Sequence, residues 1–227
     1  MNAIARTLAS LVPPRVEPAA AQWLADALAA CSRDREALLV AVAGAGRRLG
    51  RSPVELTPAE RAGAREAGME APPEAWGVDE CGRGALVLAG LTPRSPEQRK
   101  GLVADLFYRG EYRERQALLR VLAYLPEPEA HLEVAVEACR SSVQGVFEAI
   151  ACENPYPARH FPETSFNQMV LKALFTGAAV ARIAGLERRA NADLARMAEG
   201  YASERRAASR PVPPDIDRIL ALGRRQA

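Results

Sequence analysis

Apolar side chains recur at helical spacing along most of the chain, and this periodicity limits the possible folds. Between residues 129 and 139, for example, Leu132, Ala135, Val136 and Cys139 follow the pattern i, i+3, i+4, i+7, which places them on one face of an α-helix. Alternating runs of Val, Ile and Thr, which are typical of β-strands, do not occur in the sequence. The sequence therefore predicts an all-α protein.

The breaks between the predicted helices are short, and this favours antiparallel neighbours. From about residue 95 to residue 208 the helices pair into units of roughly 30–35 residues, the size of a helical repeat. Only 5% of the residues are aromatic, so the core is expected to consist of Ala, Leu and Val. We predict an array of antiparallel helix pairs with an α-solenoid, HEAT-like architecture.

Three regions differ in composition. We predict an N-terminal helical hairpin over residues 1–50, a Pro/Gly-rich linker or covering loop over 51–78, and a helical-array domain over 79–227. The hairpin contains A-V-A-G-A-G-R-R-L-G, which superficially matches a dinucleotide-binding loop. Its third glycine falls one position late and no second strand follows, so we expect a packed Ala-rich helix there.

Charge, cysteine content and apolar run length limit the partners and the cellular location that we expect. The net charge is +2, and acidic residues interleave with basic ones, so we expect no nucleic-acid partner. Four cysteines lie far apart without a C-x-x-C motif, which is typical of reduced thiols in the cytoplasm. No signal peptide or membrane-spanning stretch is predicted, since the longest apolar run reaches about half of the ~20 residues required.

The stretch from Glu153 to Lys172 concentrates most of the residues that could perform chemistry. Pro155, Pro157 and Pro162 restrict the backbone and predict a rigid, extended loop that needs hydrogen-bond partners from elsewhere. A helix beginning with a Ser165 capping box is expected to follow it.

Two interpretations of this stretch remain open. In the first, its polar side chains only brace the loop, because buried polar groups must be hydrogen-bonded. In the second, the loop lines a pocket. The candidate catalytic residues are His160, Glu163 and Lys172. The candidate ligand-binding residues are Glu153, Asn154, Tyr156, Asn167, Gln168 and Arg205.

Histidine spacing gives no metal motif, so neither a metal nor another cofactor is predicted. His160 is suited to acid–base chemistry because the pKa of imidazole is near neutrality. His131 lies in a charged segment and is expected to face solvent. Arg205 follows an apolar stripe and is expected to meet either a carboxylate of the protein or an anionic substrate.

Several runs in the second half of the chain closely resemble the EboA family. These are E-N-P-Y-P-A-R-H-F-P-E-T-S-F-N-Q-M-V-L-K, I-A-G-L-E-R-R-A-N-A-D-L and Y-A-S-E-R-R-A-A-S-R-P-V-P. The resemblance covers about residues 100–215 and is looser before that. It implies a role in an ebo-type gene cluster, together with a prenyltransferase-like membrane enzyme and TIM-barrel proteins, in making or exporting a secondary metabolite. It supplies no catalytic residues.

Two functional hypotheses follow. The first is a helical-array protein that binds a small molecule or another ebo-cluster protein. It would act in secondary-metabolite biosynthesis or precursor export, and its protein partner could be located at the membrane enzyme. The second is an enzyme in which His160 or Glu163 acts as acid or base on an anionic or isoprenoid substrate. A deep pocket reached by these side chains favours the second hypothesis.

Overall fold

A computed structural model describes residues 1–224 of the chain. The protein is all-helical, with 72% helix, and residues 1–224 form 14 α-helices and no strand. Contacts divide the chain into two compact units, residues 1–134 and 135–227. The all-α prediction is confirmed, whereas the solenoid arrangement and the three-region division stay predictions.

The first unit contains seven complete helices and the first residues of an eighth, which spans the division between the units. These helices are α1 (Ala3–Ser10), α2 (Pro18–Cys31), α3 (Arg35–Leu49), α4 (Pro58–Glu66), α5 (Val78–Leu91), α6 (Pro96–Tyr108), α7 (Tyr112–Val121) and α8 (Leu132–Arg140). The glycine-containing run in the hairpin is helical up to Leu49, the last residue of α3, so the expected Ala-rich helix is confirmed there.

The centre of this unit is α5, in which every residue is buried. It packs against α1, α2, α3 and α7. Close packing depends on its glycines: a Cβ at Gly90 would lie 2.8 Å from both Cδ atoms of Leu38. Glycine costs up to about 1 kcal/mol in a helix interior relative to alanine, and here it allows neighbouring helices to approach.

Charged side chains are buried inside α5 together with its apolar ones. Asp79 is 0% exposed and forms an ion pair with Arg83, one turn further along the helix. It also accepts two hydrogen bonds from Arg113, both 3.0 Å long. Charges in a low-dielectric interior are tolerated only when they are paired, so this cluster links α5 to α7.

The second unit contains the remaining helices, several of them short. They are α9 (Gln144–Ala151), α10 (Tyr156–His160), α11 (Glu163–Thr176), α12 (Leu186–Arg189), α13 (Ala192–Ala207) and α14 (Asp215–Arg224). Helix α11 packs against α9 and α13, and α13 packs against α14.

Capping patterns in the sequence predict helix starts at Thr57, Ser95 and Ser165, and the structure confirms the first two. Capping boxes form at Thr57 and at Ser95. The Ser165 box does not form, since α11 already begins at Glu163, directly after Pro162. Proline tolerates this position because the first backbone amides of a helix lack intrahelical acceptors.

Acid titration of Glu60 is expected to weaken the first unit. The Arg15 guanidinium, with further hydrogen bonds from Thr57, lowers the pKa of Glu60 from 4.5 to about 2. A lowered pKa stabilises the fold above pH 4.5, and this contribution is lost as the pH falls towards 2. We expect Glu60→Gln to flatten this part of the melting temperature–pH profile. Glu66→Gln, a control on the same helix, should leave it unchanged.

Candidate functional site

The loop after α9 is braced by its own side chains. Asn154 is buried, donates to the Ala149 carbonyl at 2.8 Å, and accepts from the Tyr156 amide at 2.9 Å. The expected extended conformation is only partly correct, since residues 156–160 form α10. Pro157 fits there because the first turn of a helix does not need its missing N–H.

Glu153 links this loop to the segment before α12. Its carboxylate receives two hydrogen bonds from Arg182, of 2.7 and 3.0 Å, and its amide donates to the Arg182 carbonyl at 2.8 Å. Arg182 also donates to Glu148 at 2.6 Å. The two carboxylates raise the pKa of Arg182, so the guanidinium remains charged. Glu153 is thus committed to an internal ion pair.

Arg189 holds the backbone of the same loop from α12. Its guanidinium donates to the carbonyls of Ala158 and Phe161, at 2.9 and 2.8 Å. The guanidinium carbon also lies 4.7 Å from the ring centroid of Phe166. Loop carbonyls that lack backbone partners are therefore satisfied by one side chain.

Asn167 makes the corresponding connection between α11 and α13. It is buried and exchanges two hydrogen bonds with Asn191, of 3.1 and 3.2 Å. Asn191 in turn accepts from the Leu194 amide at 2.8 Å and caps α13. This pairing favours the bracing interpretation for Asn167.

The candidate acid–base residues lie in different surroundings. Tyr156 is fully buried, and its ring centroid lies 4.8 Å from that of His160, which is half-buried. Glu163 is exposed at the first position of α11, where a negative charge interacts favourably with the helix dipole. Among the described residues, neither His160 nor Glu163 lines the cavity beside Lys172.

Lys172 caps the end of α8. Its ammonium donates to the carbonyls of Cys139 and Ser141 at 2.6 and 2.7 Å, and lies 4.9 Å from the ring centroid of Phe147. The last carbonyls of a helix have no intrahelical partner, and a cation is favourable beside them. Lys172 therefore has a structural task that its sequence position did not reveal.

A cavity of about 170 Å³ opens beside this lysine. Its polar lining comes from Arg140, Ser165, Gln168 and Lys172, which together present several hydrogen-bond donors. Burial raises the pKa of the Cys139 thiol, also in the lining, to about 12. The thiol is consequently protonated near neutral pH and is a poor nucleophile. We call this the Lys172 pocket.

The sequence indicated only part of the Lys172 pocket. Gln168 and Lys172 were predicted, and Gln168 is exposed at its edge. Arg140 and Cys139 were not, because nothing in the sequence places the end of α8 beside α11. The only sequence signal for the contact between α8 and α11 is that the C-terminal carbonyls of a helix favour a nearby cation.

Two further expectations differ from the structure. The Nε of Arg205 donates to the Pro211 carbonyl at 2.9 Å, and no carboxylate forms an ion pair with Arg205 in residues 1–224. His131 is buried and does not face solvent. Burial, with the nearby Arg99 and Lys100 charges, lowers the pKa of His131. The charged neighbours of His131 predicted an exposed position, but the residue lies in a 3₁₀ turn before α8 and is buried there.

Wider features of the described chain bear on function as well. No group of three or more His, Cys, Asp or Glu side chains in residues 1–224 is arranged to hold a metal ion. Within the same residues, no helix has both the length and the apolar character needed to cross a bilayer.

Comparison with known proteins places the chain in a family. A family model described as "Metabolite traffic protein EboA" matches residues 4–221. The match therefore includes residues 4–95, where the sequence resemblance is looser. No curated protein and no solved structure matches the chain.

Proposed function

The chain belongs to the EboA family, and from this premise we propose that it binds a small metabolite in metabolite traffic and passes it on chemically unchanged. The observation that carries this proposal is the Lys172 pocket, a donor-rich cavity next to a heavily braced loop. The pathway would be the biosynthesis or export of a secondary metabolite, and the site of action the cytoplasm. The predicted solenoid would serve as the scaffold.

Charge and size define the part of a metabolite that fits this pocket. Lys172 and Arg140 carry positive charge, although Arg140 also pairs with Glu137 at 2.9 Å, and Gln168 and Ser165 add neutral donors. Donors that line one cavity favour a carboxylate or phosphate oxygen. About 170 Å³ is below the usual 300–1,000 Å³ of a complete ligand site, so the pocket would hold the anionic end of a larger molecule.

The enzymatic alternative has weaker support. General acid–base catalysis requires a side chain within hydrogen-bond reach of the reacting group. His160 packs on Tyr156 and Glu163 is exposed, and the pocket is lined by neither. Partner proteins of the same gene cluster, including a membrane enzyme, remain part of the proposal as donors or acceptors of the metabolite.

Native mass spectrometry of gently purified protein tests this function. We expect a small molecule to co-purify with the wild type and to be lost from Gln168→Leu, which changes an exposed side chain at the pocket edge. Lys172→Met should also lose it. That variant should be less stable by about 1–3 kcal/mol, because two carbonyls lose their donor. Thr164→Ala, an exposed change on the same helix outside the pocket, is the control.

Three results would contradict the proposal. The first is a wild type that carries no small molecule, even when it is purified from cells that contain the whole gene cluster. The second is a Gln168→Leu variant that stays folded by circular dichroism and retains the same mass as the control. A bound mass that changes chemically during incubation would instead support the enzymatic alternative.

A further inference from the structure

A second cavity lies in the first unit, between α2 and α3. It has a volume of about 700 Å³ and is open to solvent along one side. Helices α2 and α3 pack against each other as a hairpin. Ala27, Ala30, Ala37 and Ala41 lie along it, and such short side chains leave a trough between the helices. We call this cavity the α2–α3 groove.

The walls of this groove are apolar and partly uncovered. Val40 lines it and is 62% exposed. Trp23 forms part of the opposite wall and is half-buried. A large apolar side chain exposed in a groove is more informative than one alone on a surface, because an aromatic and aliphatic lining is typical of ligand sites.

Charge is distributed unevenly along the groove. At the hairpin turn the lining is Ala30 and Ala37. At the other end Trp23 lies beside Gly44, where an added Cβ would be 4.0 Å from the indole ring. Arg47 and Arg48 follow immediately and are exposed. No carboxylate in residues 1–224 forms an ion pair with either guanidinium.

From this arrangement we propose that the α2–α3 groove binds an amphiphilic anion. Its apolar body lies along the alanines and Trp23, and its negative head group meets Arg47 and Arg48. The apolar part spans Trp23 to Ala30, which corresponds to about 10 Å of helix. The site is separate in sequence from the Lys172 pocket, differs from it in its long apolar wall, and does not depend on the proposed function.

The size of the groove favours a small molecule over a docked protein helix. Ten residues line it, whereas a specific protein interface involves about 20–30 residues on each side. Its volume falls within the 300–1,000 Å³ of small-molecule sites. Asp26 lies on the rim of the apolar part and receives a hydrogen bond from the neutral Gln22 amide at 2.9 Å. With Arg47 and Arg48 at the other end, the lining carries two positive formal charges and one negative, and this net positive charge still favours an anion near the arginines.

Probes that share one alkyl chain separate the apolar from the charged contribution. The full chain is titrated by calorimetry and Trp emission with decanoate, decyl phosphate, 1-decanol and decyltrimethylammonium, each below its aggregation concentration. We expect either anion to bind with one molecule per chain. Decanol should bind at least threefold more weakly and the cation at least tenfold more weakly. The preferred anion then identifies the head group.

Variants assign the binding to the groove. Ala27→Leu, which fills the trough, should weaken anion binding at least tenfold, while Ala25→Leu, on the exposed face of the same helix, should not change it. Arg47→Gln should weaken binding of the anions about fivefold and leave decanol unaffected. Arg33→Gln removes the same charge outside the groove and is the matched control.

Specific outcomes overturn the proposal. These are no saturable binding of either anion, several molecules bound per chain, or equal affinity for anion and cation. Unchanged binding in Ala27→Leu also overturns it. If Ala27→Leu fails to fold, the test rests on Arg47→Gln, which changes an exposed side chain. Equal affinity of Arg47→Gln and Arg33→Gln for the anions would contradict the predicted head-group contact.

Discussion

Asp79→Ala is expected to lower the free energy of unfolding by about 3–5 kcal/mol. The carboxylate is 0% exposed and pairs with Arg83 and Arg113. Arg83 is itself buried and would remain charged without its main partner. A buried, uncompensated charge costs far more than the pair contributes, because desolvation is no longer offset.

An exposed ion pair provides the control for this effect. Asp193 pairs with Arg196 at 3.0 Å, and both side chains are largely exposed. We expect Asp193→Ala to cost less than about 1 kcal/mol, as is usual for surface pairs. Urea unfolding followed by circular dichroism measures the loss of stability in both variants. Hydrogen exchange of the α5 amides shows whether the loss in Asp79→Ala is centred on α5. Similar losses in the two variants would show that the buried cluster has no special role.

The helices were largely predictable from sequence because their signals are local. Thr57 and Ser95 each begin a helix as the capping pattern indicates. The central position of α5 was not predictable in the same way. Charged residues such as Asp79 and Arg83 usually lie at the surface, and the burial of Asp79 depends on Arg113, which lies 34 residues further along. Glycines such as Gly90 were the available signal, since a helix retains them where a neighbour packs closely.

The candidate site shows the same limit. The sequence located the proline-rich loop and most of its polar side chains, but not their partners. Arg182 and Arg189 come from a later part of the chain. Arg182 donates to the Glu153 carboxylate, and Arg189 donates to the loop carbonyls. Only the tertiary structure distinguishes a polar residue that braces a loop from one that binds a ligand.

Bracing of the loop and a pocket beside it do not exclude each other. Bracing by Asn154, Arg182 and Arg189 fixes the backbone that leads into α11. The face of α11 that carries Gln168 and Lys172 then lines the pocket. A binding site on a rigid element loses less conformational entropy when a ligand binds, so structural bracing would contribute to affinity without any direct contact.

Phe166→Ala is expected to lower the free energy of unfolding by about 3–5 kcal/mol and to loosen this loop. Phe166 is fully buried in α11, and its ring contacts the Arg189 guanidinium. Truncation leaves a cavity and removes the surface that holds Arg189 against the carbonyls of Ala158 and Phe161. Hydrogen exchange should accordingly become faster in residues 156–161.

Phe175, on the same helix, is the matched control for this variant. It is 55% exposed and meets Tyr201 edge-to-face with ring centroids 4.4 Å apart. We expect Phe175→Ala to cost less than about 1.5 kcal/mol and to leave exchange in the loop unchanged. If both variants lost similar stability, or if the loop stayed protected in Phe166→Ala, the buried ring would not be what orders the loop. The rigid base proposed for the Lys172 pocket would then lack its main support.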